Sequence, residues 1–564
     1  ASLSSPATLR NAIEMIMVRP LLRIHRCVEK QDRQLMEERL PIWGVRMETH
    51  DYDQPWKQQL KKVLAAALPA NICMLRQFMD HGGWYDRSDK QGGFTKIVDV
   101  QFVGAMGPPG GGRNPITARY SRHFNIIGLT PFDNSSLKVI FTEIINWFLG
   151  GTTMMTHGKQ IVAASLEMYN SVANIFLPTP AKSHYTFNLR DLSKIFQGLC
   201  QANIKHIDEK NKLLRLWCHE AMRVFQDRLV NNEDRNQFDN LLKQILRTQF
   251  AVDIKDLIPN KVLVFSSFMD KDNDDSYVEV TNVDQLSSVI NRALEEFNDN
   301  PVNQKMDLVL FKFAIDHIAR ISRIISQPYG NALLIGVGGS GRQSLTKLAT
   351  FIADLRLFQI TLTKKFGLVE WKDRMKSLLR QTGIDEGSTV FLISDTQIKD
   401  IGFLEDISNL LNTGEIPNLY TPDELKEIYE ILRPIARRNN KDQSVAGLYN
   451  LFVERCRNNM HIVVCMSPIG DALRNYLRMF PSLVNCCTID WFSEWPSEAL
   501  HSVALNSFQS IKLLEGREEE CVDVCVYFHN SVTELSHEFL YKTKRHNYVT
   551  PTTYLDMLQN FEKL

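Results

Sequence analysis

The sequence has 564 residues and no net formal charge, because 65 Lys and Arg balance 65 Asp and Glu. Apolar residues make up 44% and charged residues 23%, which is typical of a globular chain with about four domains. The charge balance predicts no nucleic-acid partner, and the absence of any apolar run of about 18 residues predicts no membrane partner. Ten scattered cysteines fit neither a zinc framework nor a disulfide scaffold, which favours a reducing compartment.

The first part of the chain changes character near Met74. Residues 1–73 predict a mostly helical segment without a chemical motif. After Met74 the pattern predicts the end of a helix, a turn over 81–86 and a buried strand over 96–103. The Gly- and Pro-rich stretch 107–115 is predicted to be a structural or interface loop, since prolines remove N–H donors and the spacing of a phosphate loop is missing. Arg119 and Arg122 follow, either as exposed surface charges or as groups that reach a neighbour's nucleotide site.

The middle of the chain predicts a helical subdomain followed by a new unit. Apolar residues recur every three or four positions over 152–258, which indicates amphipathic helices. From 259 a second unit begins with a strand over 262–265. The acidic run 270–274 is similar to a calcium loop, but Asp275 and Thr281 replace the glycine and glutamate that such a loop requires. We therefore predict a solvated turn there, and an amphipathic helix over 308–330.

The stretch Ala332–Leu345 carries the strongest chemical signal. Four apolar residues lead into a glycine-rich turn and then a helical pattern, the order strand, phosphate loop, helix. Gly336 and Gly341 have the spacing of G-x-x-x-x-G-K-[ST], but Arg342 replaces the lysine, Gln343 replaces the Mg²⁺-binding hydroxyl, and Ser344 comes one residue late. Glycines let backbone N–H groups curl around an anion, and the new helix directs its positive end at it. The predicted nucleotide-binding residues are Gly336, Gly338, Gly339, Ser340, Gly341, Arg342, Gln343, Ser344, Asp395 and Ser467.

A second half of a nucleotide site is predicted at the end of the apolar strand 388–395. Asp395 ends this strand, where it could hold Mg²⁺ together with Ser344. Hydrolysing ATPases of this kind usually place a glutamate next, and this chain has Thr396, which cannot act as a base near neutral pH. Loss of a general base typically costs about 10²–10⁴-fold in rate. Glu405 is an outside candidate for the missing base, but its neighbours predict a packed helix.

The remaining elements complete an α/β pattern. Thr421-Pro422-Asp423-Glu424 predicts a capped helix start. Strands are predicted over 358–362, 461–467 and 487–491, and helices over 497–540 and after a basic turn at 542–551. The strand over 461–467 ends in Ser467, and Arg474 and Arg478 follow it on one helix face. The chain ends inside a helical pattern, which predicts a fragment of a longer protein.

Long strings of this sequence resemble the axonemal dynein heavy chains. GNALLIGVGGSGRQSLTKLA, FLISDTQIKDIGFLEDISNLLNTGEIPNLY and FPSLVNCCTIDWFSEWP are similar to the fourth AAA+ module of that family. LRQFMDHGGWYDR, VDVQFVGAMGPPGGGRNPITARYSRHFNIIGLTPF and YTFNLRDLSKIFQGL are similar to the third, and HNYVTPTTYLDML resembles the approach to the microtubule-binding stalk. The resemblance covers residues 74–564. The third module's own Walker strings are missing before Met74, which predicts a seam in the chain near 69–74.

The resemblance implies a role for each matching position. It makes residues 336–344 the Walker A loop and Asp395 the Walker B acid, and it puts Ser467 in the first sensor place, where many AAA+ proteins have asparagine. Arg474 or Arg478 becomes an arginine finger for the preceding module, with Tyr476 between them where the family has another arginine. In the third module Gly107 takes the sensor place, Arg119 or Arg122 takes the finger place, and Arg190 and Arg545 lie near the second-sensor helices.

The implied fold is α/β, built from AAA+ P-loop modules in which a parallel sheet with flanking helices precedes a small all-helical subdomain. We predict an unassigned segment 1–73, the third large subdomain 74–151 with its helical subdomain 152–258, and the fourth large subdomain 259–500 with its small subdomain 501–564. The implied protein is an ATP-driven microtubule motor of the ciliary axoneme whose fourth module binds ATP or ADP with Mg²⁺ as a regulatory site. Its implied partners are neighbouring modules, the microtubule through the stalk, and dynein intermediate and light chains. A fully hydrolysing site and a nucleotide-free structural module remain alternatives.

Overall fold

The computed structural model describes residues 38–40, 45–47, 70–85, 94–106, 118–259, 263–269, 277–301, 303–306, 308–363, 366–385, 387–509, 516–545 and 547–563. These residues fall into two compact units, 1–133 and 134–564, which are described separately below. Within the described ranges, no helix combines the length and apolar character needed to span a membrane. The predicted loop 107–115 with Gly107, the acidic turn 270–274 and most of segment 1–69 lie outside the described residues.

The first unit differs from its predicted helical start. Two short strands, β1 (Glu38–Leu40) and β2 (Val45–Met47), pair antiparallel, so the mostly helical prediction for 1–73 is wrong at those residues. Its remaining elements are α1 (Ala70–His81), β3 (Gly83–Tyr85), β4 (Phe94–Lys96), β5 (Phe102–Val103) and α2 (Ala118–Ser121).

Two strand predictions in this unit need correction. The predicted turn over 81–86 contains β3, which pairs antiparallel with β4. The single strand predicted over 96–103 is instead β4 and β5 separated by coil, with β5 paired to β2. Asp99 lies in that coil with φ of +60°, a left-handed conformation that a continuous strand cannot contain. The β-branched composition therefore identified extended backbone but missed this break.

The second unit contains most of the helices and the main sheet. Its helices are α3 (Asn134–Phe148), α4 (Met155–Ile175), α5 (Leu189–Leu199), α6 (Lys210–Ala221), α7 (Asn232–Ile245), α8 (Ile254–Leu257), α9 (Val283–Asp299), α10 (Lys312–Ile325), α11 (Arg342–Ile352), α12 (Leu368–Gly383), α13 (Ile401–Thr413), α14 (Pro422–Arg438), α15 (Val445–Asn459), α16 (Ala472–Met479), α17 (Ser482–Asn485), α18 (Ser497–Phe508), α19 (Glu518–Thr543) and α20 (Pro551–Lys563). Its strands are β6 (Phe265–Ser266), β7 (Val278–Glu279), β8 (Ala332–Ile335), β9 (Arg356–Gln359), β10 (Thr389–Ser394), β11 (Met460–Met466) and β12 (Thr488–Trp491). The helical subdomain and the α/β subdomain predicted from the sequence thus lie in one unit.

Five parallel strands form the sheet in the order β12-β8-β11-β10-β9. β8 lies between β11 and β12, with Leu333 opposite Val464 and Ile489. In a parallel sheet the carboxyl ends of the strands meet at one edge, where open α/β sheets bind ligands. The order of the strands in the sheet therefore brings the carboxyl ends of β8, β11 and β10 together.

The sheet is buried on both faces because successive side chains point in opposite directions. Leu333 and Ile335 pack into one apolar cluster with α12, α13, α14 and α15. Ala332 and Leu334 pack into the other with α9, α10 and α11. Because both faces of β8 are buried, all four of its residues, 332–335, are apolar.

Two helix starts follow the local sequence closely. Thr421 accepts a hydrogen bond from the Glu424 amide, and Glu424 accepts one from the Thr421 amide, so the predicted capping box is present. Asn188 caps α5 in the same way with Asp191. Both caps satisfy N–H groups that the first helical turn would otherwise leave without partners.

Charged side chains are buried where residues 189–228 meet the α/β subdomain. Arg323 of α10 forms an ion pair with Glu220 of α6, and both side chains are almost inaccessible to solvent. Tyr277 donates a hydrogen bond of 2.8 Å from its hydroxyl to the same carboxylate. A Cβ on Gly198 would overlap the Glu220 carboxylate, so this approach requires glycine. Burial favours the neutral acid, but the Arg323 charge prevails and lowers the pKa of Glu220 to about 2.

A second buried group lies beside the end of the sheet. Asp490 of β12 accepts a hydrogen bond of 3.0 Å from Arg320 and lies 2.6 Å from His317. The Trp491 amide donates to the Asp227 carbonyl at 2.9 Å, and the Trp491 ring stacks on His184 with centroids 5.1 Å apart. The helical subdomain is therefore tied to the edge strand by polar contacts as well as apolar packing.

We expect the second unit to lose stability as pH falls below about 6.5. Burial lowers the pKa of His184 to about 3 and that of His219 to about 4, whereas unfolded histidine titrates near 6.5. The unfolded chain then binds protons that the folded chain excludes, which costs about 2 kcal/mol for each histidine by pH 5. Glu220 contributes little there, because it is ionised in the folded chain and mostly ionised in the unfolded chain, where its ordinary pKa lies below 5. Glu405 acts in the opposite sense, since its pKa is raised to about 7 in the folded chain, and it offsets about 2 kcal/mol of the loss. Thermal melting at pH 7.5 and pH 5 tests this, and equal melting temperatures would contradict it.

Candidate functional site

The glycine loop between β8 and α11 has the backbone of an anion cradle. Gly339 and Gly341 have φ of +77° and +86°, conformations that L side chains rarely adopt. The Gly336 amide donates to the Met466 carbonyl at 3.1 Å, which anchors the loop to β11. Gly341 is the N-cap of α11 and offers no side chain to its first N–H groups. Those groups are therefore available to an anion at the positive end of the helix.

Two polar atoms in this loop are buried without partners. Ser340 is only 3% exposed, and its Oγ has no hydrogen-bond partner. This Oγ lies close to Gly336, because a Cβ on Gly336 would come within 3.0 Å of it. Arg342 donates weakly from Nη2 to the Val337 carbonyl at 3.4 Å, while its Nη1 is buried and unpaired. A buried unpaired donor is costly, and a phosphate oxygen would satisfy both.

The two residues after Arg342 face different surroundings. Gln343 accepts a hydrogen bond of 3.3 Å from Gln359 at the end of β9. Ser344 lines a groove of about 250 Å³ with Gln304, Lys305, Met306, Leu308 and Lys347. Among the described residues, no hydrogen bond links Ser344 with Asp395, its predicted partner for Mg²⁺.

Asp395 and Ser467 lie together at the carboxyl edge of the sheet. The Asp395 carboxylate accepts hydrogen bonds from the Ser467 amide at 2.7 Å and from the Thr396 amide at 2.9 Å. The Ser467 Oγ accepts one from the Ile469 amide at 3.3 Å. The predicted acid and sensor residues are thus adjacent, and the carboxylate keeps its remaining lone pairs for a hydrated cation.

The hydroxyl of Thr396 does not supply a base. Its Oγ1 lies 2.9 Å from the Ser394 Oγ, and the side chain is exposed. Glu405 is half-buried on α13, and burial together with the neighbouring Asp406 raises its pKa to about 7. Its neighbours Phe403 and Leu404 are fully buried, so the predicted packed helix is present.

The candidate arginines lie on the surface. Arg122 is exposed and forms a 2.5 Å ion pair with Asp80, and Arg119 is exposed beside it in α2. Arg474 pairs with Asp471 at 3.1 Å, one turn before Arg478 in α16. Arg190 is exposed at the start of α5. Arg545 follows α19 in an exposed turn, where its amide donates to the Thr543 Oγ1 at 3.3 Å.

Sequence reasoning missed one residue that contacts the phosphate loop, Thr552 at the start of α20. A Cβ on Gly339 would lie 2.5 Å from the Thr552 amide nitrogen and closer still to its Oγ1. A Cβ on Gly338 would lie 3.5 Å from the same Oγ1. The sequence predicted a helix after the basic turn 542–551, but only the tertiary fold brings the start of that helix to the loop.

Three family descriptions match separate parts of the chain. "P-loop containing dynein motor region D4" matches residues 306–564, and "AAA+ lid domain" matches residues 161–260. "P-loop containing dynein motor region" matches residues 68–132. The parallel sheet, its glycine loop and the flanking helices agree with the α/β fold of such modules.

Individual relatives match most of the chain. Dynein axonemal heavy chain 1 of Homo sapiens is 48% identical over 512 residues, which cover 87% of this chain and 12% of the relative. Dynein axonemal heavy chain 3 of Homo sapiens is 43% identical over 522 residues, covering 89% of this chain and 13% of the relative. Dynein axonemal heavy chain 2 of Mus musculus is 44% identical over 496 residues, which cover 87% of this chain and 11% of the relative. The chain thus spans about one eighth of the length of these relatives.

Proposed function

Because the chain belongs to the axonemal dynein heavy chain family, we propose that it forms part of the ring of an ATP-driven microtubule motor and carries a regulatory nucleotide site. In this proposal the protein works in the ciliary axoneme. Its partners are neighbouring AAA+ modules, the microtubule through a stalk, and dynein intermediate and light chains. The family match to P-loop motor regions supports nucleotide binding in general; ATP or ADP with Mg²⁺ is our specific proposal.

The observation that carries the proposal is the glycine loop with its two buried, unpaired polar atoms on Ser340 and Arg342. The amides of Val337, Gly338, Gly339 and Gly341, the Ser340 hydroxyl and the Arg342 guanidinium would hold the phosphates. Asp395 would hold Mg²⁺ through water, and the cation would neutralise phosphate charge. Since Gln343 is not a hydroxyl ligand, we infer that the metal depends more on Asp395 than in a standard P-loop.

We further propose that the site binds nucleotide and hydrolyses it slowly or not at all. Thr396 stands where a general base is needed, and its hydroxyl lies against Ser394. The nucleotide would then act as a conformational relay by fixing the angle between the large and the small subdomain. A nucleotide can fix this angle only if it binds more tightly to one relative position of the two subdomains than to the other.

A fully hydrolysing site is the second candidate. It is favoured by Glu405, whose pKa of about 7 suits a general base near neutral pH. A nucleotide-free structural module is the third candidate, since Arg342 already turns to the Val337 carbonyl of its own loop. A calorimetric titration of the wild-type chain that gives no heat at millimolar ADP would leave only this third function.

Replacement of Asp395 by asparagine tests the proposed metal role. We expect Mg²⁺-dependent ADP affinity to fall about 10–100-fold, the usual effect of losing a residue that orients a metal's bound water. Affinity measured in EDTA should stay unchanged, because the loop and its amides remain. Calorimetry with and without Mg²⁺ provides the measurement. An Asp471→Asn variant is the matched control, since Asp471 pairs with Arg474 on the surface. An equal loss of ADP affinity with Mg²⁺ and in EDTA would show that Asp395 stabilises the fold and does not hold the metal.

A further inference from the structure

The backbone ladder between β10 and β9 ends before β10 itself ends. Leu392 opposite Gln359 is the last pair of that ladder, whereas β10 stays paired with β11 as far as Ser394 opposite Cys465. The last two residues of β10 are therefore held by backbone pairing on one side only. The turn that follows β10 needs a different attachment on the side that faces β9.

The side chain of Gln397 supplies this attachment. Its Nε2 donates a hydrogen bond of 2.6 Å to the Ile360 carbonyl, directly after β9. Its Oε1 accepts hydrogen bonds from the Ser394 amide at 2.8 Å and from the Ser394 hydroxyl at 3.1 Å. The two polar atoms of one amide group thus bind the ends of two strands. Gln397 continues the connection between β10 and β9 after backbone pairing has stopped.

Asp395 depends on this connection because it lies in the turn that Gln397 anchors. Asp395, Thr396 and Gln397 form one 3₁₀ turn, which the Ile398 amide closes by donating to the Asp395 carbonyl at 3.1 Å. Such short turns have poor hydrogen-bond geometry of their own. The Asp395 carboxylate accepts hydrogen bonds from the Thr396 amide in this turn and from the Ser467 amide after β11. A shift of the turn against β11 would therefore change the direction of the free lone pairs of the carboxylate.

The bond from Gln397 to Ile360 is more than a cap requires. A glutamine that only capped the turn would need its bonds with Ser394, and not a bond to the neighbouring strand. The end of β9 also contacts the other half of the candidate site, since the Gln359 Nε2 donates to the Gln343 Oε1 on α11 at 3.3 Å. Residues 359 and 360 thus contact both the helix after the glycine loop and the turn that carries the acid.

We propose that Gln397 is a positioning residue for the metal of the nucleotide site, which acts through Asp395 and uses the end of β9 as its support. This inference rests on the proposed nucleotide binding and deepens it, because it names the side chain that orients the carboxylate. Partners that orient a metal's ligands typically change metal affinity 10–100-fold when they are replaced. Where one carboxylate holds a hydrated cation, its direction sets how many of the bound waters it can reach.

The test is Gln397→Met, which keeps the length of the side chain and removes both of its polar atoms. We expect the full chain to need about tenfold more Mg²⁺ for half-maximal enhancement of binding of the fluorescent probe mant-ADP. Its affinity for mant-ADP in EDTA should stay unchanged, because the glycine loop keeps its amides. Gln249→Met is the matched control, since Gln249 is similarly half-buried and donates to Glu167 at 2.7 Å in the helical subdomain.

Two further variants separate positioning from a general effect on the turn. If Gln397 acts through Asp395, Gln397→Met should cause no further loss in an Asp395→Asn background, because the carboxylate that it orients is already absent. Ser394→Ala removes the capping hydroxyl and leaves the bond from Gln397 to Ile360. We expect its Mg²⁺ requirement to stay near that of the wild type.

The proposal is supported if Gln397→Met raises the Mg²⁺ requirement, Gln249→Met and Ser394→Ala do not, and the double variant equals Asp395→Asn. It is overturned, while the nucleotide site stands, if Gln397→Met leaves the requirement unchanged, if Ser394→Ala raises it equally, or if the two losses add. Loss of binding in EDTA as well overturns it, because Gln397 would then hold the fold and not the carboxylate. Wild-type binding that is independent of Mg²⁺ also overturns it. If the wild type does not bind mant-ADP at all, the proposed function fails and this inference fails with it.

Discussion

Replacing Arg323 by methionine will destabilise the second unit by about 3–5 kcal/mol, because it leaves a buried carboxylate without its cation. Glu220 is fully buried, and its remaining partners, Tyr277 and His219, are neutral groups at pH 7.5. Methionine approximates the length of the arginine stem, so the main loss is electrostatic. Urea unfolding followed by tryptophan fluorescence measures the change, since Trp217 is buried one turn before Glu220.

The matched control for this variant is Arg215→Met on α6. Arg215 pairs with Glu279 at 2.8 Å, but both side chains are more than a fifth exposed. Such partly solvated pairs contribute up to about 1 kcal/mol. The double variant Arg323→Met with Glu220→Leu should recover much of the lost stability, because removal of both charges costs less than removal of one. If Arg323→Met costs no more than Arg215→Met, the buried pair does not hold the helical subdomain to α10.

The elements around the glycine loop could be predicted because each depends on local sequence. The apolar run 332–335 has the composition of a strand buried on both faces, and Gly341 marks the helix start that follows. Thr421 and Glu424 form a cap within four residues. In these places intrinsic propensity, hydrophobic pattern and capping all favour the same secondary structure, so tertiary packing does not change it.

The buried charges and the Thr552 contact could not be predicted in this way. Arg223 and Asp227 are four residues apart, a spacing typical of an exposed ion pair, yet both are buried against α10 and β12. Thr552 lies more than 200 positions from the loop that it contacts, and its neighbours indicate only a helix start. Long-range packing decides both cases, and a single sequence carries no signal for it.

Replacing Thr396 by glutamate will raise the rate of ATP hydrolysis in a single turnover, and we expect an increase of at least tenfold out of the 10²–10⁴-fold that a general base typically contributes. Thr396 is exposed at the end of β10, so a longer side chain fits without disturbing the core. The amides of Ser467 and Thr396 hold the adjacent Asp395 carboxylate in place. Thr396→Gln is the matched control, since it has the same size and cannot accept a proton.

The pH dependence of the hydrolysis rate distinguishes a site that does not hydrolyse ATP from one that uses Glu405 as its general base. Its pKa of about 7 leaves it half protonated at neutral pH, so hydrolysis that used it as a base would accelerate as pH rises through 7. We expect the wild-type rate to lack that dependence and to be unchanged by Glu405→Gln. The Thr396→Glu carboxylate is solvated and fully ionised at pH 7, so the increase in hydrolysis rate that it gives should not change with pH near 7. A wild-type rate that rises with pH and falls in Glu405→Gln would instead identify a complete ATPase, in which Thr396→Glu adds a second base and little speed.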